Sequence, residues 1–295
     1  MTLKEQLKIN AELTEKVLKK SLEGYADKHY EKVVSAMNYS LLAGGKRVRP
    51  FLLIEFYKLC GGKDVESILP FAAAIEMIHT CSLIHDDLPC MDDDDLRRGK
   101  PSCHKQYGED IALLAGDALL TYAFEIILTS SFKNPELTVK ATGILANKVG
   151  ISGMIGGQTI DVLSEGKKID ESLLKEIHLL KTSAFISAAC EMGAVLAGAS
   201  DDDCKNAEKY GEKIGLAFQI IDDILDHTAT EEELGKPIGS DEENNKTTYY
   251  SLYGKDGASK KAEELTVEAE NILKSYKNDN SILLEFTDYL LRRGN

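Results

Sequence analysis

No cysteine pair in this chain is spaced C-x-x-C. Its six cysteines stand at 60, 81, 90, 103, 190 and 204, so neither a zinc ribbon nor a dithiol redox pair is signalled. Basic residues are in the minority, 35 against 49 acidic, for a formal net charge of −14. That balance disfavours nonspecific binding to nucleic acid or to an anionic membrane. An anionic ligand would therefore need metal ions or a local basic patch. No run reads as long and apolar enough to cross a bilayer, which takes about 20 residues. The opening stretch MTLKEQLKINAEL is charged and amphipathic, unlike a signal peptide. A cytoplasmic protein with reduced thiols is the expectation. Strand-like alternation is scarce, and no internal repeat or Pro- or Ser-rich linker divides residues 1–295.

Helical period is what remains. It predicts helices near 3–22, 28–42, 49–60, 64–87, 109–131, 135–164, 170–199, 201–228, 255–276 and 279–292, with a short one over 247–253. A single all-α domain is the simplest architecture. The longest irregular stretch, TATEEELGKPIGSDEENN over 229–246, has a length that compact domains tend to reserve for function.

Two aspartate pairs carry the chemistry: Asp86-Asp87 in LIHDDLPCMDDDDLRRG and Asp222-Asp223 in FQIIDDILDH. Each adjoins an apolar helical run, where uncompensated carboxylates are costly. Facing each other, two such clusters would suit a hard cation such as magnesium, which bridges carboxylates to phosphates. Gln219, Asp222, Asp223 and Asp226 fall at i, i+3, i+4 and i+7 and share one helix face. A solvated outer face is the plain alternative. His79, Ser82 and Asp86 also share a face, on a helix otherwise strongly apolar. His79 is equally readable as a core histidine. Asp86 and Asp92 are six apart, so they converge only if the helix ends or bulges, and Pro89 gives it a reason to. Asp93 to Asp95 read as a solvated acidic loop.

The basic patch is local. GGKRVRP places Lys46, Arg47 and Arg49 just before a helix with Pro50 in its first turn, a suitable place for a phosphate. Arg97 and Arg98 follow the acidic loop, which they could simply neutralise. Lys181 lies in the apolar stripe Leu173, Ile177, Leu180, Ala184 and Ala188, so it either snorkels outward or meets an anion. Gly150, Gly153 and Gly157 share a face that permits close helix packing. Lys236 and Lys246 belong to the long irregular stretch, a loop that could close over phosphates.

These motifs together resemble the trans-prenyl diphosphate synthases, above all bacterial short-chain members such as farnesyl diphosphate synthase. The resemblance spans nearly the whole chain, through GGKRVRP, EMIHTCSLIHDDLPCMDDDDLRRGKP, LLAGDALLTYAFE, GGQTIDV, KTSA, FQIIDDILD and LGKPIGSDEENNKTTY. It implies a bundle of about ten helices around a central cavity, commonly a homodimer. It implies Asp86, Asp87 and Asp92, with Asp222, Asp223 and Asp226, as the ligands of two or three magnesium ions, with manganese an alternative. Lys46, Arg49, His79 and Arg98 match the isopentenyl diphosphate site. Arg97, Lys181 and Lys236 match groups on the allylic diphosphate, and Thr182 and Gln219 match polar positions near the reacting centre. Asp86, Asp92, Asp222, Lys181 and Arg97 are then the catalytic set.

The implied reaction is head-to-tail condensation of isopentenyl diphosphate with dimethylallyl or geranyl diphosphate, giving farnesyl diphosphate. One departure favours a longer product. Farnesyl-making relatives place an aromatic residue five positions before the first aspartate, where this chain has Cys81, followed by Ser82. A geranylgeranyl diphosphate synthase is the alternative. A regulatory subunit of a heteromeric synthase is a further one, though both aspartate motifs are intact. The His85-Asp86 pair superficially fits a metal-dependent phosphohydrolase, a class that uses more histidines than this chain offers. A terpene cyclase would not need Lys46, Arg49 and His79 for a second diphosphate.

Overall fold

The computed structural model describes residues 2–25, 28–228 and 246–292. The all-α expectation holds among them, apart from one two-stranded hairpin. The chain resolves into two compact units. The first comprises Met1–Ile54 and Asp64–Thr138; the second comprises Glu55–Lys63 and Val139–Asn295.

The first unit holds α1 (Leu3–Ser21), α2 (Glu31–Leu41), the opening turns of α3 (Val48–Leu59), α4 (Val65–Asp86), the strands β1 (Leu96–Arg97) and β2 (Lys100–Pro101), α5 (Cys103–Tyr107) and α6 (Glu109–Leu128). Helix α1 begins at Thr2, whose hydroxyl accepts from the Glu5 amide while the Glu5 carboxylate accepts from that of Thr2. Two orphan amides are satisfied at once. Helix α4 begins at the N-cap Asp64 and runs through Pro70. Phe71, Ala72, Ala73, Ala74, Ile75, Met77 and Ile78 are all wholly buried, as expected of a helix apolar on every side. Helix α6 comes close because Gly116 has no side chain: a Cβ there would lie 2.1 Å from His85 Nε2.

The second unit holds most of α7 (Pro135–Val149), then α8 (Met154–Ser164), α9 (Glu171–His178), a π-helical turn (Leu179–Ser183), α10 (Ala184–Leu196), α11 (Asp201–Thr228), α12 (Tyr249–Leu273) and α13 (Ser281–Arg292). Its core includes Tyr210, whose hydroxyl pairs with Thr287 Oγ1 at 2.8 Å and whose ring lies 5.1 Å from that of Phe56.

Two of its boundaries differ from the periodic reading. The helix expected over 135–164 breaks between α7 and α8, where Gly150 and Gly153 turn the chain. A Cβ on Gly153 would sit 1.9 Å from the Lys148 carbonyl oxygen. Those two glycines therefore make a corner, and only Gly157 serves the close packing expected of all three. The helix expected over 170–199 is interrupted by the π turn. The short helix expected over 247–253 is present: it opens α12, and Gly254, at φ +65° and ψ 179°, breaks the helical path before the longer stretch that follows.

The expectation that no segment is long and apolar enough for a membrane needs correction. Val65–Asp86, Glu109–Leu128 and Glu171–Leu196 all meet that standard by length and composition. Each carries isolated charges that break up the run without lowering its average much. In the first and third, 72% of the most apolar window is buried inside the protein, so these are core helices; in the second only 33% is.

Candidate active site

In the first unit, α4 ends at Asp86 and Asp87 caps it. The chain turns through Leu88–Met91, and the Asp92 amide donates back to the Asp86 carbonyl at 2.9 Å. The six-residue spacing is thus closed by a turn, at the place where Pro89 gave the helix a reason to end or bulge. Asp86 is half-buried and Asp92 exposed. Asp87 differs: it is 2% exposed and accepts from Arg97 Nε at 3.0 and 3.3 Å. Burial pushes its carboxyl up, against the pull of Arg97. Arg97 also donates to Asp94 at 2.7 Å, so it does neutralise the acidic loop. Asp93 and Asp95 pair with Lys105 at 3.6 and 2.8 Å and are exposed, as a solvated loop should be.

The basic set assembles around His79. Arg98 donates to the Gly44 carbonyl, and Gly45, at φ +132°, leaves room for that guanidinium: a Cβ would lie 2.9 Å from Arg98 Cζ. His79 titrates well below the usual imidazole range, first because of burial and then because of Arg49, Arg98, Arg47 and Arg97. It is therefore neutral at pH 7, with a ring N–H to donate. Arg49 is lowered to about 10, by burial first and by Arg98, with Glu76 opposing. Lys46 is exposed. Arg47 is wholly buried, its guanidinium donating to Glu76 and to the Leu41 carbonyl.

Ser82 spends its hydroxyl on the His79 carbonyl at 2.9 Å. Cys81 is 4% exposed, with Sγ 3.9 Å from His85 Nδ1. Burial pushes its thiol up to about 12. His85 Nε2 donates to the Leu113 carbonyl at 3.1 Å. That ring is seated against α6, which removes the support for a His85-Asp86 metal pair.

In the second unit the π turn is the organising feature. Glycines grip it from two sides: a Cβ on Gly157 of α8 would lie 2.2 Å from the Lys181 amide nitrogen, and one on Gly215 of α11 would lie 2.5 Å from Ser183 Cα. One extra residue per turn re-aims the side chains, and such turns recur at functional sites. Here they are Lys181 and Thr182. Lys181 Nζ meets Asp161 Oδ2 at 2.7 Å, so the lysine in the apolar stripe does find an anion. Thr182 donates to Gln219 Oε1 at 3.0 Å.

The acidic stripe of α11 is not a solvated outer face, since Asp223 and Asp226 are each 4% exposed. Asp223 accepts from the Tyr249 amide at 2.9 Å and from Gln219 Nε2 at 3.5 Å, and His178 Nε2 lies 3.6 Å away. Asp222 is half-buried. A cavity of about 170 Å³ is lined by Asp161, His178, Lys181, Gln219, Asp223 and Lys246, among others. Asp161 stays below its usual range because Lys181, with Lys246 and His178, outweighs burial. Lys236 lies outside the described residues.

Asp161 and His178 were not among the expected site residues, whereas Lys246 belongs to the stretch read as able to close over phosphates. Asp161 ends the GGQTID segment and His178 precedes Lys181 by three, but the π turn that relates them has no signature in the sequence.

All the candidate metal ligands are carboxylate oxygens, the donor type that hard magnesium takes. Asp87 and Asp223 are committed to protein donors, while Asp86, Asp92 and Asp222 are the more accessible ones. Among the described residues no three His, Cys, Asp or Glu side chains form a ready cage. Magnesium bound through one or two carboxylates, phosphate oxygens and waters needs none, so the residues fit that ion.

The polyprenyl synthetase family model matches residues 30–288. A geranylgeranyl diphosphate synthase of Cyanophora paradoxa is 49% identical over 266 residues, 89% of this chain and 88% of that protein. A dimethylallyltranstransferase of Fischerella ambigua is 45% identical over 96% of this chain and 81% of its own. The crystal structure of an FPP/GFPP synthase from Zymomonas mobilis superposes with a TM-score of 0.88 at 34% identity, covering 98% of both chains. With these matches added to the two clusters above, the chain belongs to the polyprenyl synthetase family and is a prenyltransferase of the trans-prenyl diphosphate synthase class.

Proposed function

We propose that the chain condenses isopentenyl diphosphate with an allylic diphosphate, dimethylallyl or geranyl, and extends the product to twenty carbons. The observation that carries the reading is the seat formed by Arg49, neutral His79 and Arg98, close in sequence to the accessible Asp86 and Asp92. A terpene cyclase has no second diphosphate to place there. Twenty carbons are preferred to the fifteen of the first expectation on two grounds. Cys81 is small where a tail-blocking aromatic would stand, and the Cyanophora relative carries a geranylgeranyl name.

Arg49, His79 and Arg98, with Lys46, bind the isopentenyl diphosphate, His79 donating an N–H without adding charge. Asp86, Asp92 and Asp222 are the proposed magnesium ligands, with Asp226 one turn along α11 from Asp222. Asp87 and Asp223 orient Arg97 and the start of α12. When bound, magnesium supplies positive charge that stabilises the departing diphosphate. Lys181 and Arg97 add fixed cations on the allylic side, and Thr182 and Gln219 line the reacting centre. The allylic C–O bond breaks and the isopentenyl double bond attacks the cation. The new C–C bond forms, and a proton leaves to a diphosphate oxygen. Water must be excluded or the cation is quenched.

A second copy of the chain is the proposed partner. Leu113, Leu114 and Leu128 of α6 are 47%, 50% and 62% exposed, an apolar side that a homodimer would cover. Light scattering at twice the chain mass is expected.

The deciding experiment incubates purified chain with magnesium, isopentenyl diphosphate and each allylic starter, then chromatographs the dephosphorylated products against prenyl alcohol standards. Geranylgeraniol is expected. Farnesol alone would return the product to fifteen carbons. Diphosphate release without isopentenyl diphosphate would point to a phosphohydrolase or a terpene cyclase, the cyclase leaving a cyclic product, and activity only after adding another polypeptide would identify a subunit.

A further inference from the structure

Arg47 sits between Lys46 and Arg49 in sequence but in a different environment. Its side chain is fully buried, and its backbone is left-handed at φ +48°. L-residues hold that conformation only where the surroundings over-determine it. Three elements of the first unit do so. Nη1 donates to Glu76 Oε1 of α4 at 2.6 Å. Nη2 donates to the carbonyl of Leu41, the last residue of α2, at 2.7 Å. Glu15 of α1 lies 3.4 Å from Nη2. Glu76 is itself 2% exposed and precedes His79 by one turn of α4. Its charge also supports Arg49 and Arg98 against the burial that lowers them.

A buried ion pair is a weak source of net stability, because desolvation offsets the attraction. Its value here lies in geometry. We propose that Arg47 and Glu76 are a positioning pair for the isopentenyl diphosphate seat. The pair locks the left-handed turn, and the turn sets where Lys46 and Arg49 stand relative to His79 and Arg98. Neither residue touches substrate. The inference rests on the seat assignment above.

Three variants test it: E76Q, R47K and the double variant R47M/E76M. E76Q leaves the Arg47 charge buried beside a neutral amide, so its thermal midpoint falls. The double variant removes both buried charges, and its midpoint recovers toward wild type. Positioning predicts that the KM for isopentenyl diphosphate rises about tenfold in E76Q and stays raised in the double variant, while the KM for the allylic diphosphate changes less than about twofold. R47K keeps the charge but has one nitrogen for two acceptors on different elements, and is expected to show the same selective rise without a large loss of fold. A double variant whose isopentenyl diphosphate KM returns to normal along with its midpoint would overturn the pair's role, as would a normal KM in R47K. A wild-type chain showing no saturable dependence on isopentenyl diphosphate would overturn the seat, and with it the pair.

Discussion

The amide of Asp92 donates to the carbonyl oxygen of Asp86 at 2.9 Å. This bond draws together the two accessible carboxylates of the first acidic motif. Between them in sequence, Asp87 turns inward to Arg97. A DDxxxxD pattern therefore contains two kinds of aspartate, two of them presented and one spent on orienting a cation.

That division predicts different phenotypes. Asp86→Ala and Asp222→Ala are expected to lower kcat by about 10³-fold or more, the scale of losing a main electrostatic stabiliser, with the far-UV circular dichroism spectrum unchanged. Asp87→Asn leaves Arg97 without its buried partner and is expected to lose thermal stability as well as activity. Near-normal turnover in Asp86→Ala or Asp222→Ala would contradict the metal assignment.

Product length is expected to follow position 81. Cys81 is buried with Sγ 3.9 Å from His85 Nδ1, so a tyrosine there must push aside its neighbours on α4. Cys81→Tyr is expected to shift product from twenty carbons toward fifteen, read by chromatography of the prenyl alcohols. An unchanged product distribution would remove Cys81 from chain-length control.

Glu191 on α10 makes stability depend on pH. It faces Glu208 and Glu212 of α11 and Lys148 and Lys140 of α7; burial first, then Glu208, raises it to about 7. Lys148 is already occupied, 2.6 Å from Glu208. The folded chain therefore binds a proton that the unfolded chain, near 4.5, has lost. Stability is fully present below the unfolded value and declines as pH rises toward about 7. Glu191→Gln is expected to raise the thermal midpoint at pH 8 and to change it little at pH 4.5. Equal shifts at both pH values would exclude this titration as the cause.

Much of this was legible in the sequence, for local physical reasons. Asp222, Asp223 and Asp226 share a face because three- and four-residue spacing leaves no alternative on a straight helix, and Pro89 gave α4 a reason to end near Asp86. Burial decided what spacing could not. Asp87 and Asp223 look equivalent to their neighbours until Arg97 and the Tyr249 amide are seen to engage them. Arg47 reads as one cation of three until its left-handed turn carries it inside. The π turn was invisible because LLKTS fits an ordinary helix. Only its neighbours Gly157 and Gly215 betray it, and a glycine states that something comes close without stating what.

That last point gives the sharpest structural test. Gly157→Ala places a methyl group where the Lys181 backbone now runs, with N at 2.2 Å and Cα at 2.7 Å. Backbone cannot swing aside as a side chain does, so α8 or the π turn must move. Overpacking of this kind costs about 1–3 kcal/mol. A shift of the π turn also displaces Lys181 from Asp161 and Thr182 from Gln219. The variant is expected to lose activity more steeply than stability, with the KM for the allylic diphosphate raised and that for isopentenyl diphosphate little changed. Gly143→Ala is the control, since nothing lies within 4 Å of a Cβ there; mid-helix in α7, it is expected to stabilise slightly. Equal, small effects in the two variants would mean that α8 yields freely, and that the position of Lys181 does not depend on Gly157.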